Sequence, residues 1–310
     1  MQPVFSIILP TYNRAQLLPT AINSVIGQEY SNWELIVIDD GSTDNTQMVV
    51  KKIDDNRIKY YYQENQERSI ARNNGVIKAN APYICFLDSD DYYLPNHLSR
   101  FFQAIESKNW PSDELFVSGM KGKTAKGWIE IPLYNTEFGS PVRFFWKNGP
   151  SVNIFCIPRK ILLKTTFPEH YHLAEDLHLI TRLLLSYPVN PIGSYTFVAV
   201  EHQGRSSNQR FRKNIEESLR SNISAIENIL TIEQERLENH LLPEDIKNMK
   251  YQLFNMYANG AIKRGLPLLG LQLSWKMVQL RKHPSLIVDI AKLFTWQLIY
   301  LIRRALHYFL

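Results

Sequence analysis

The sequence is poor in cysteine, and its first residues are not expected to form a secretory leader. It has two cysteines among 310 residues, which excludes a small scaffold held together by disulfides. Cys85 and Cys156 each lie within an apolar stretch, so both are predicted to be buried free thiols of a protein in a reducing, cytoplasmic setting. The apolar run Val4–Leu9 is too short for a signal core and has no basic leader. It is predicted instead to begin the first strand.

The C-terminal segment carries the basic excess of the chain. Of the formal net charge of +5, residues 260–310 account for +7, because they hold eight Lys or Arg and one acid, and the rest carries −2. The longest uncharged run of this segment, Leu293–Ile302, is too short to span a bilayer. The pattern favours helices that lie on an anionic membrane surface. The alternative is that they pack on the catalytic domain or on a second subunit of a homo-oligomer.

Apolar runs and amphipathic stretches alternate along the first hundred residues. The predicted strands are Phe5–Leu9, Glu34–Ile38, Ile58–Tyr62 and Tyr83–Leu87, and the helix-length patterns that follow them are Ala15–Ile26, Thr43–Ile53, Ser69–Ala79 and Pro95–Glu106. This alternation is typical of βαβ units and predicts an α/β fold, with a parallel sheet covered by helices on both faces. From Asn214 onward the pattern is helical, so we predict one domain over 1–210 and a second over 211–310.

Acidic side chains follow two of the predicted strands. Asp39 and Asp40 end the second strand, and Asp88, Asp90 and Asp91 follow the fourth. Parallel strands end at one edge of the sheet, where such folds bind their ligands, so the two groups are expected to converge. Taken singly, each is explained by a turn or a helix cap. Together they would repel each other unless a cation neutralises them, and the pattern predicts Mg²⁺ or Mn²⁺ holding a diphosphate.

Five motifs, in this order, resemble those of the family 2 glycosyltransferases of the GT-A fold. The motifs are Ser6–Asn13, Ile36–Asp44, Ala71–Gly75, Phe86–Asp91 and Ala174–Leu177, within residues 4–210. The resemblance implies a GT-A, Rossmann-like nucleotide-binding sheet followed by a mainly helical C-terminal region. It also implies transfer of a sugar from a nucleotide diphosphate donor.

The resemblance implies roles for single residues in donor binding. Pro10 and Tyr12 would line the base pocket, and Asp39 would accept a hydrogen bond from the base imide. Arg72 would approach the phosphates, and Asp88 would contact the ribose or the sugar. The donor-binding residues expected on this basis are Pro10, Thr11, Tyr12, Asn13, Asp39, Asp40, Arg72, Asp88, Ser89 and Arg205.

Two residues are expected at the metal. By the resemblance, Asp90 is the direct metal ligand of the family's Asp-x-Asp motif. His202 stands where family members commonly carry a histidine that closes over the diphosphate, with Arg205 close behind it. A lone histidine is more often structural. The expectation is nevertheless that His202 faces the metal or the phosphates.

Sugar transfer from a diphosphate needs a stabilised leaving group and a base for the acceptor hydroxyl. The resemblance makes Asp176 the base and Glu175 its positioning or sugar-contacting partner. Without this resemblance, Glu175 and Asp176 would be explained as the acidic first turn of a helix. A single displacement predicts inversion at the anomeric carbon, and the sequence contains no motif for a covalent nucleophile.

The sequence therefore predicts an inverting, metal-dependent glycosyltransferase. The expected donor is a UDP-sugar, and the expected acceptor is a saccharide or a lipid-linked glycan of the cell envelope or surface polysaccharide, met at the inner face of the cell membrane. A sugar-phosphate nucleotidyltransferase is one alternative, although the glycine- and basic-rich loop that it needs is missing after the first strand. A non-catalytic membrane-bound scaffold is another, although the paired acids are intact. Nucleic acid is not an expected partner, because basic residues are not interleaved with the aromatic ones.

Overall fold

The computed structural model describes residues 2–149, 151–171, 174–202, 215–263 and 267–281. The described residues form two compact units. The first comprises residues up to 202 together with Ala225–His240, and the second comprises residues 215–224 and those from Leu241 onward. The domain change predicted near residue 210 lies outside the described residues.

The first unit is built on one mixed β-sheet. Its strands are β1 (Phe5–Thr11), β2 (Trp33–Asp40), β3 (Ile58–Gln63), β4 (Tyr83–Phe86), β5 (Tyr92–Tyr93), β6 (Leu115–Thr124), β7 (Gly127–Glu130), β8 (Phe155–Pro158) and β9 (Val189–Val200). They lie in the order β3-β2-β1-β4-β8-β6-β9-β5, and β7 pairs with β6. Strands β1 to β4 run parallel, as the sequence predicts. β8 then runs antiparallel to β4, and β6 antiparallel to β8.

The helices follow the predicted order, but the first two each begin three residues later than predicted and the fourth begins two residues later. They are α1 (Leu18–Ile26), α2 (Thr46–Lys51), α3 (Glu67–Lys78), α4 (His97–Ser107), α5 (Pro141–Asn148), α6 (Arg159–Leu162), α7 (Glu175–Ser186), α8 (Ile215–Ile232), α9 (Gln234–Leu237), α10 (Pro243–Lys263) and α11 (Pro267–Arg281). The carboxylate of Asp44 accepts hydrogen bonds from the backbone N–H groups of Thr46, at 3.0 Å, and Ala15, at 3.1 Å. These bonds hold the residues before α1 and α2 in turns, so both helices begin later.

The centre of the sheet is buried on both faces. Every residue of β1 and β2 is buried, as expected for parallel strands covered by helices. Cys85 and Cys156 are both buried and free, as predicted. They are also paired in register across the antiparallel β4 and β8 strands.

One buried carboxylate organises the sheet edge where the strands begin. Glu34 accepts hydrogen bonds from the hydroxyl of Ser6, the backbone N–H of Asn80 and the ammonium group of Lys59, each at 2.6 Å. Burial alone would raise the pKa of Glu34, but these donors lower it to about 2. Glu34 is therefore ionised and fully bonded, and it fastens β1, β2 and β3 at the edge opposite the predicted site.

The second unit is helical. Helices α10 and α11 share a buried core of Phe254, Tyr257, Ala258, Ala261, Leu273 and Met277. Both helices begin at a proline, Pro243 and Pro267, because proline suits the first turn of a helix. None of the described helices is long and apolar enough to cross a membrane. The run Leu293–Ile302 lies outside the described residues, so its contact with a membrane surface stays a prediction.

A glycine in the third motif has a structural role. Gly75 lies on α3, against β1, and a Cβ atom at this position would lie 2.4 Å from Cγ2 of Ile8. This distance is far below van der Waals contact. The glycine therefore allows α3 to pack closely on β1, which places the rest of the motif over the sheet.

We predict that Gly75→Ala lowers the free energy of unfolding by roughly 2 kcal/mol, because the added methyl group overpacks a filled core. Urea unfolding followed by circular dichroism measures the change. Gly122→Ala is the matched control, since its Cβ would meet Ile129 at an ordinary 3.6 Å. Equal stability of the two variants would show that this close approach does not constrain the fold.

Candidate active site

A buried arginine lies at the centre of three carboxylates beyond the strand ends. Arg72, on α3, is 1% exposed. Its Nη2 donates to Asp88 Oδ1 at 2.8 Å, and its Nη1 donates to Asp176 Oδ1 at 3.0 Å and Glu175 Oε1 at 3.3 Å. A charge this deeply buried must be paired. Arg72 therefore holds together residues from three sequence motifs, and we call these four residues the Arg72 cluster.

Three groups that were not predicted from the sequence complete the Arg72 cluster. Nδ2 of Asn153 donates to Asp88 Oδ2 at 3.0 Å, and the backbone N–H of Val152 donates to Asp176 Oδ2 at 3.2 Å. Nη1 of Arg68 lies 3.3 Å from a carboxylate oxygen of Glu175. Arg68 stands four residues before Arg72 on one helix, which is the signal that could have indicated it. Asn153 carries no comparable signal, because it is 65 positions from Asp88.

Burial and neighbouring charges shift the pKa values of two carboxylates of the cluster in opposite directions. The side chain of Asp176 is 21% exposed, and burial raises its pKa to about 6, with Glu175 and Asp88 adding to the rise and Arg72 opposing it. For Asp88, burial also acts to raise the pKa, but Arg72 and Asn153 hold it below its usual value. Asp88 is thus held as an anion, whereas burial brings the pKa of Asp176 up to about 6.

Asp39 and Asp40, at the end of β2, are both buried and hydrogen-bonded. Asp39 accepts from the backbone N–H of Ser42 at 2.8 Å and from the hydroxyl of Tyr60 at 2.5 Å. Oδ1 of Asp40 accepts from the side-chain amide of Gln63 at 2.7 Å. From the sequence alone, a turn and a role in ligand binding are alternative explanations of these acids. The hydrogen bonds show that the two explanations are physically compatible.

The first motif is tied to the second by Asn13. Its side-chain oxygen accepts from the backbone N–H groups of Thr43, at 2.8 Å, and Asp44, at 3.3 Å, and its own N–H donates to the hydroxyl of Ser42 at 2.8 Å. Tyr12, beside it, is 48% exposed. Pro10 and Thr11 are buried at the end of β1, in register with Ile38 and Asp39. The first two motifs therefore form one continuous wall at this edge.

Asp90, in the loop after β4, and His202, just after β9, form a pair. Nε2 of His202 lies 2.9 Å from Oδ2 of Asp90, and the two side chains are 21% and 13% exposed. Asp91 accepts a hydrogen bond from the backbone N–H of Val200 at 2.8 Å, which fixes the loop after β4 against the end of β9. Ser89 is buried in that loop. Arg205, expected nearby, lies outside the described residues.

A divalent ion would find two protein ligands in this pair. Among the described residues, no group of three or more His, Cys, Asp or Glu is arranged to hold a metal ion. Asp90 and His202 offer one carboxylate and one imidazole, both partly exposed. Magnesium and manganese sites commonly use one or two protein carboxylates and complete their coordination with substrate phosphates. The residues therefore fit an ion that binds together with a diphosphate.

Two solved structures share the fold. S. aureus TarS 1-349 in complex with UDP-GlcNAc is 20% identical, with a TM-score of 0.58, over 90% of this chain and 89% of that one. The mannosyltransferase PcManGT from Pyrobaculum calidifontis, in complex with GDP-Man and Mn²⁺, is 16% identical, with a TM-score of 0.56, over 99% of this chain and 87% of that one. The chain thus has the GT-A fold of glycosyltransferases, as the sequence predicts.

The sequence comparisons identify the family. Residues 6–114 match the model of glycosyl transferase family 2. WcaA of Escherichia coli K12, named as a colanic acid biosynthesis glycosyl transferase, is 43% identical over 191 residues, or 60% of this chain and 67% of WcaA. WfgD of Escherichia coli, named as a UDP-Glc:alpha-D-GlcNAc-diphosphoundecaprenol beta-1,3-glucosyltransferase, is 44% identical over 94 residues, or 30% of this chain and 37% of WfgD. The chain belongs to glycosyl transferase family 2 and is a glycosyltransferase.

We predict that Arg72→Met destabilises the protein by about 3–5 kcal/mol, because it leaves Asp88 and Asp176 without their cation and Glu175 with Arg68 alone. Urea unfolding at neutral pH measures the loss. The matched control, Lys121→Met, breaks a pair in which both side chains are partly exposed and should cost about 1 kcal/mol or less. Addition of Asp176→Asn to Arg72→Met should restore part of the stability. A single variant as stable as the wild type would contradict the role given to Arg72.

Proposed function

We propose that the protein is an inverting glycosyltransferase that moves a sugar from UDP to a lipid-linked or saccharide acceptor of envelope or surface polysaccharide. The placement of Asp176 carries this proposal. Its carboxylate is fixed through one oxygen by Arg72 and through the other by the N–H of Val152. Its side chain remains 21% exposed.

Asp176 would be the general base in this reaction. Each of its oxygens keeps a lone pair after its bond to Arg72 or Val152, so one oxygen can accept the proton of an acceptor hydroxyl. The hydroxyl oxygen then attacks the anomeric carbon, the bond to the donor phosphate breaks, and the nucleoside diphosphate leaves from the opposite face. The configuration at that carbon inverts. Glu175, held by Arg68 and Arg72, would keep Asp176 in place.

Asp90 and His202 would hold Mg²⁺ or Mn²⁺ together with the donor phosphates. The ion, when bound, neutralises the charge that develops on the leaving diphosphate. Asp39 would accept from the base, and Asp88, kept ionised by Arg72 and Asn153, would accept from hydroxyl groups of the ribose or the sugar.

The donor and acceptor classes rest on the relatives. The name of WfgD specifies a UDP-linked donor and a diphosphoundecaprenol acceptor, and the name of WcaA specifies colanic acid, a polysaccharide product. The basic excess of the C-terminal segment supports work at the cytoplasmic face of the membrane, where anionic headgroups attract cations. Family membership favours this proposal over a nucleotidyltransferase.

We predict that turnover falls as the pH drops below about 6, the value to which burial raises the pKa of Asp176. The sign follows from the chemistry, because a base must be deprotonated and lower pH protonates it. The measurement is kcat between pH 5 and pH 8, with nucleotide affinity measured in parallel as a control. If nucleotide affinity falls at low pH and kcat does not, this role of Asp176 is contradicted.

Donor binding tests the proposal directly. The wild type should bind a UDP-sugar with Mn²⁺ in isothermal titration calorimetry, and Asp90→Ala should lose most of this metal-dependent affinity. Asp176→Asn should bind the donor normally and lose turnover by about a thousandfold or more, because the base acts on the acceptor. Asp54→Ala is the control, since this exposed acid lies before β3, at the opposite edge of the sheet.

The outcomes separate the hypotheses. If no nucleotide sugar binds, with or without metal, the transferase mechanism fails and a scaffold with a degenerate pocket is the better account. If donor binds and turns over equally well in Asp176→Asn, the fold assignment stands and the base lies elsewhere.

A further inference from the structure

Tyr60 is a partner of Asp39 that donor-binding motifs do not include. Its hydroxyl donates to Oδ2 of Asp39 at 2.5 Å, while the backbone N–H of Ser42 donates to the other oxygen at 2.8 Å. Asp39 is 1% exposed. The two bonds fix the plane of its carboxylate, so the remaining lone pairs point in set directions.

The neighbouring tyrosines of β3 provide a contrast. Successive residues of a strand face opposite sides of the sheet, so Tyr60 and Tyr62 share one face and Tyr61 takes the other. Tyr62 is 60% exposed, whereas burial and the adjacent Asp39 raise the pKa of Tyr60. Tyr60 therefore keeps its proton over the physiological range and acts as a constant donor to Asp39.

Thr11 supplies a second, independent observation. It is 3% exposed and lies opposite Asp39 in the parallel pairing of β1 with β2, so the two side chains share a face of the sheet. Its hydroxyl is buried and has no hydrogen-bond partner among the described residues. A buried polar group without a partner costs stability unless a ligand or water satisfies it. A carboxylate that accepts hydrogen bonds and an unbonded hydroxyl thus lie side by side at the strand ends.

We propose that Tyr60 is a specificity-determining residue that fixes Asp39 as an acceptor for a nucleobase presenting a ring N–H next to a carbonyl group. Asp39 accepts from the ring N–H, and the Thr11 hydroxyl donates to the carbonyl oxygen. Uracil and guanine have this edge. Cytosine and adenine present a ring nitrogen acceptor there, which would face the carboxylate without a proton between them. The inference rests on the proposed function, since it assumes that a nucleotide donor binds at this edge.

The experiment compares Tyr60→Phe with Tyr62→Phe, which removes the same hydroxyl from the exposed tyrosine of the same face. Affinities for UDP, GDP and CDP are measured by isothermal titration calorimetry with saturating Mn²⁺. The wild type should bind UDP or GDP at least about a hundredfold more tightly than CDP. In Tyr60→Phe this preference should fall about tenfold, the loss expected for one hydrogen bond to a charged group, with CDP affinity unchanged.

Turnover separates a positioning role from general damage. In Tyr60→Phe the KM for the donor should rise about tenfold while kcat at saturation stays within about twofold, because Tyr60 acts on the base through Asp39 and not on the reacting atoms. Tyr62→Phe should match the wild type in every measurement. The measured affinities for UDP and GDP identify which of the two bases the protein uses.

The result that overturns the inference is an unchanged preference in Tyr60→Phe while the wild type binds UDP or GDP. A preference for CDP in the wild type overturns it as well. Failure of the wild type to bind any of the three nucleotides is a different result, because it removes the proposed function and this inference together.

Discussion

The neutralisation of Arg72 is the constraint on which the site depends. A guanidinium that is 1% exposed is stable only if anions surround it, and the anions come from the loop after β4 and from the start of α7, up to 104 positions away. The same contacts neutralise carboxylates that would otherwise repel one another. The cluster therefore joins α3 to the loop after β4 and to the start of α7, and burial there raises the pKa of Asp176. The stability of the fold and the reactivity of the site share one set of ion pairs.

The polar groups that stabilise the fold and those available for a ligand lie at opposite edges of the sheet. Where the strands begin, Glu34 is surrounded by donors and its pKa is lowered to about 2, so it is an anion at all physiological pH values. Where the strands end, the polar groups can still form hydrogen bonds. Examples are the exposed part of Asp176 and the unbonded hydroxyl of Thr11. Polar groups that are fully satisfied fasten a fold, whereas those with unused lone pairs or protons bind a ligand.

The strand and helix order of the first hundred residues could be predicted because each element is a local pattern. The family could also be predicted from motifs of contiguous residues, and the comparisons confirm it. The individual site roles stay predictions, although most of the residues concerned lie along one edge. The starts of α1 and α2 were wrong by three residues, because the Asp44 caps hold the preceding residues in turns. Antiparallel strand β8 was missed, since Phe155–Pro158 is a short apolar segment whose partner strands are distant in sequence.

The sequence by itself determined the family, the alternation of strands and helices, and the carboxylates at the strand ends, because these are properties of neighbouring residues. Only the tertiary structure decided that Arg72 is buried among three carboxylates, that Asn153 and Arg68 complete that cluster, and that Tyr60 rather than Tyr62 bonds to Asp39. Hydrogen bonds and charge burial depend on distances between residues far apart in the chain. Those distances are set by strand order and helix packing, and residue spacing does not encode them.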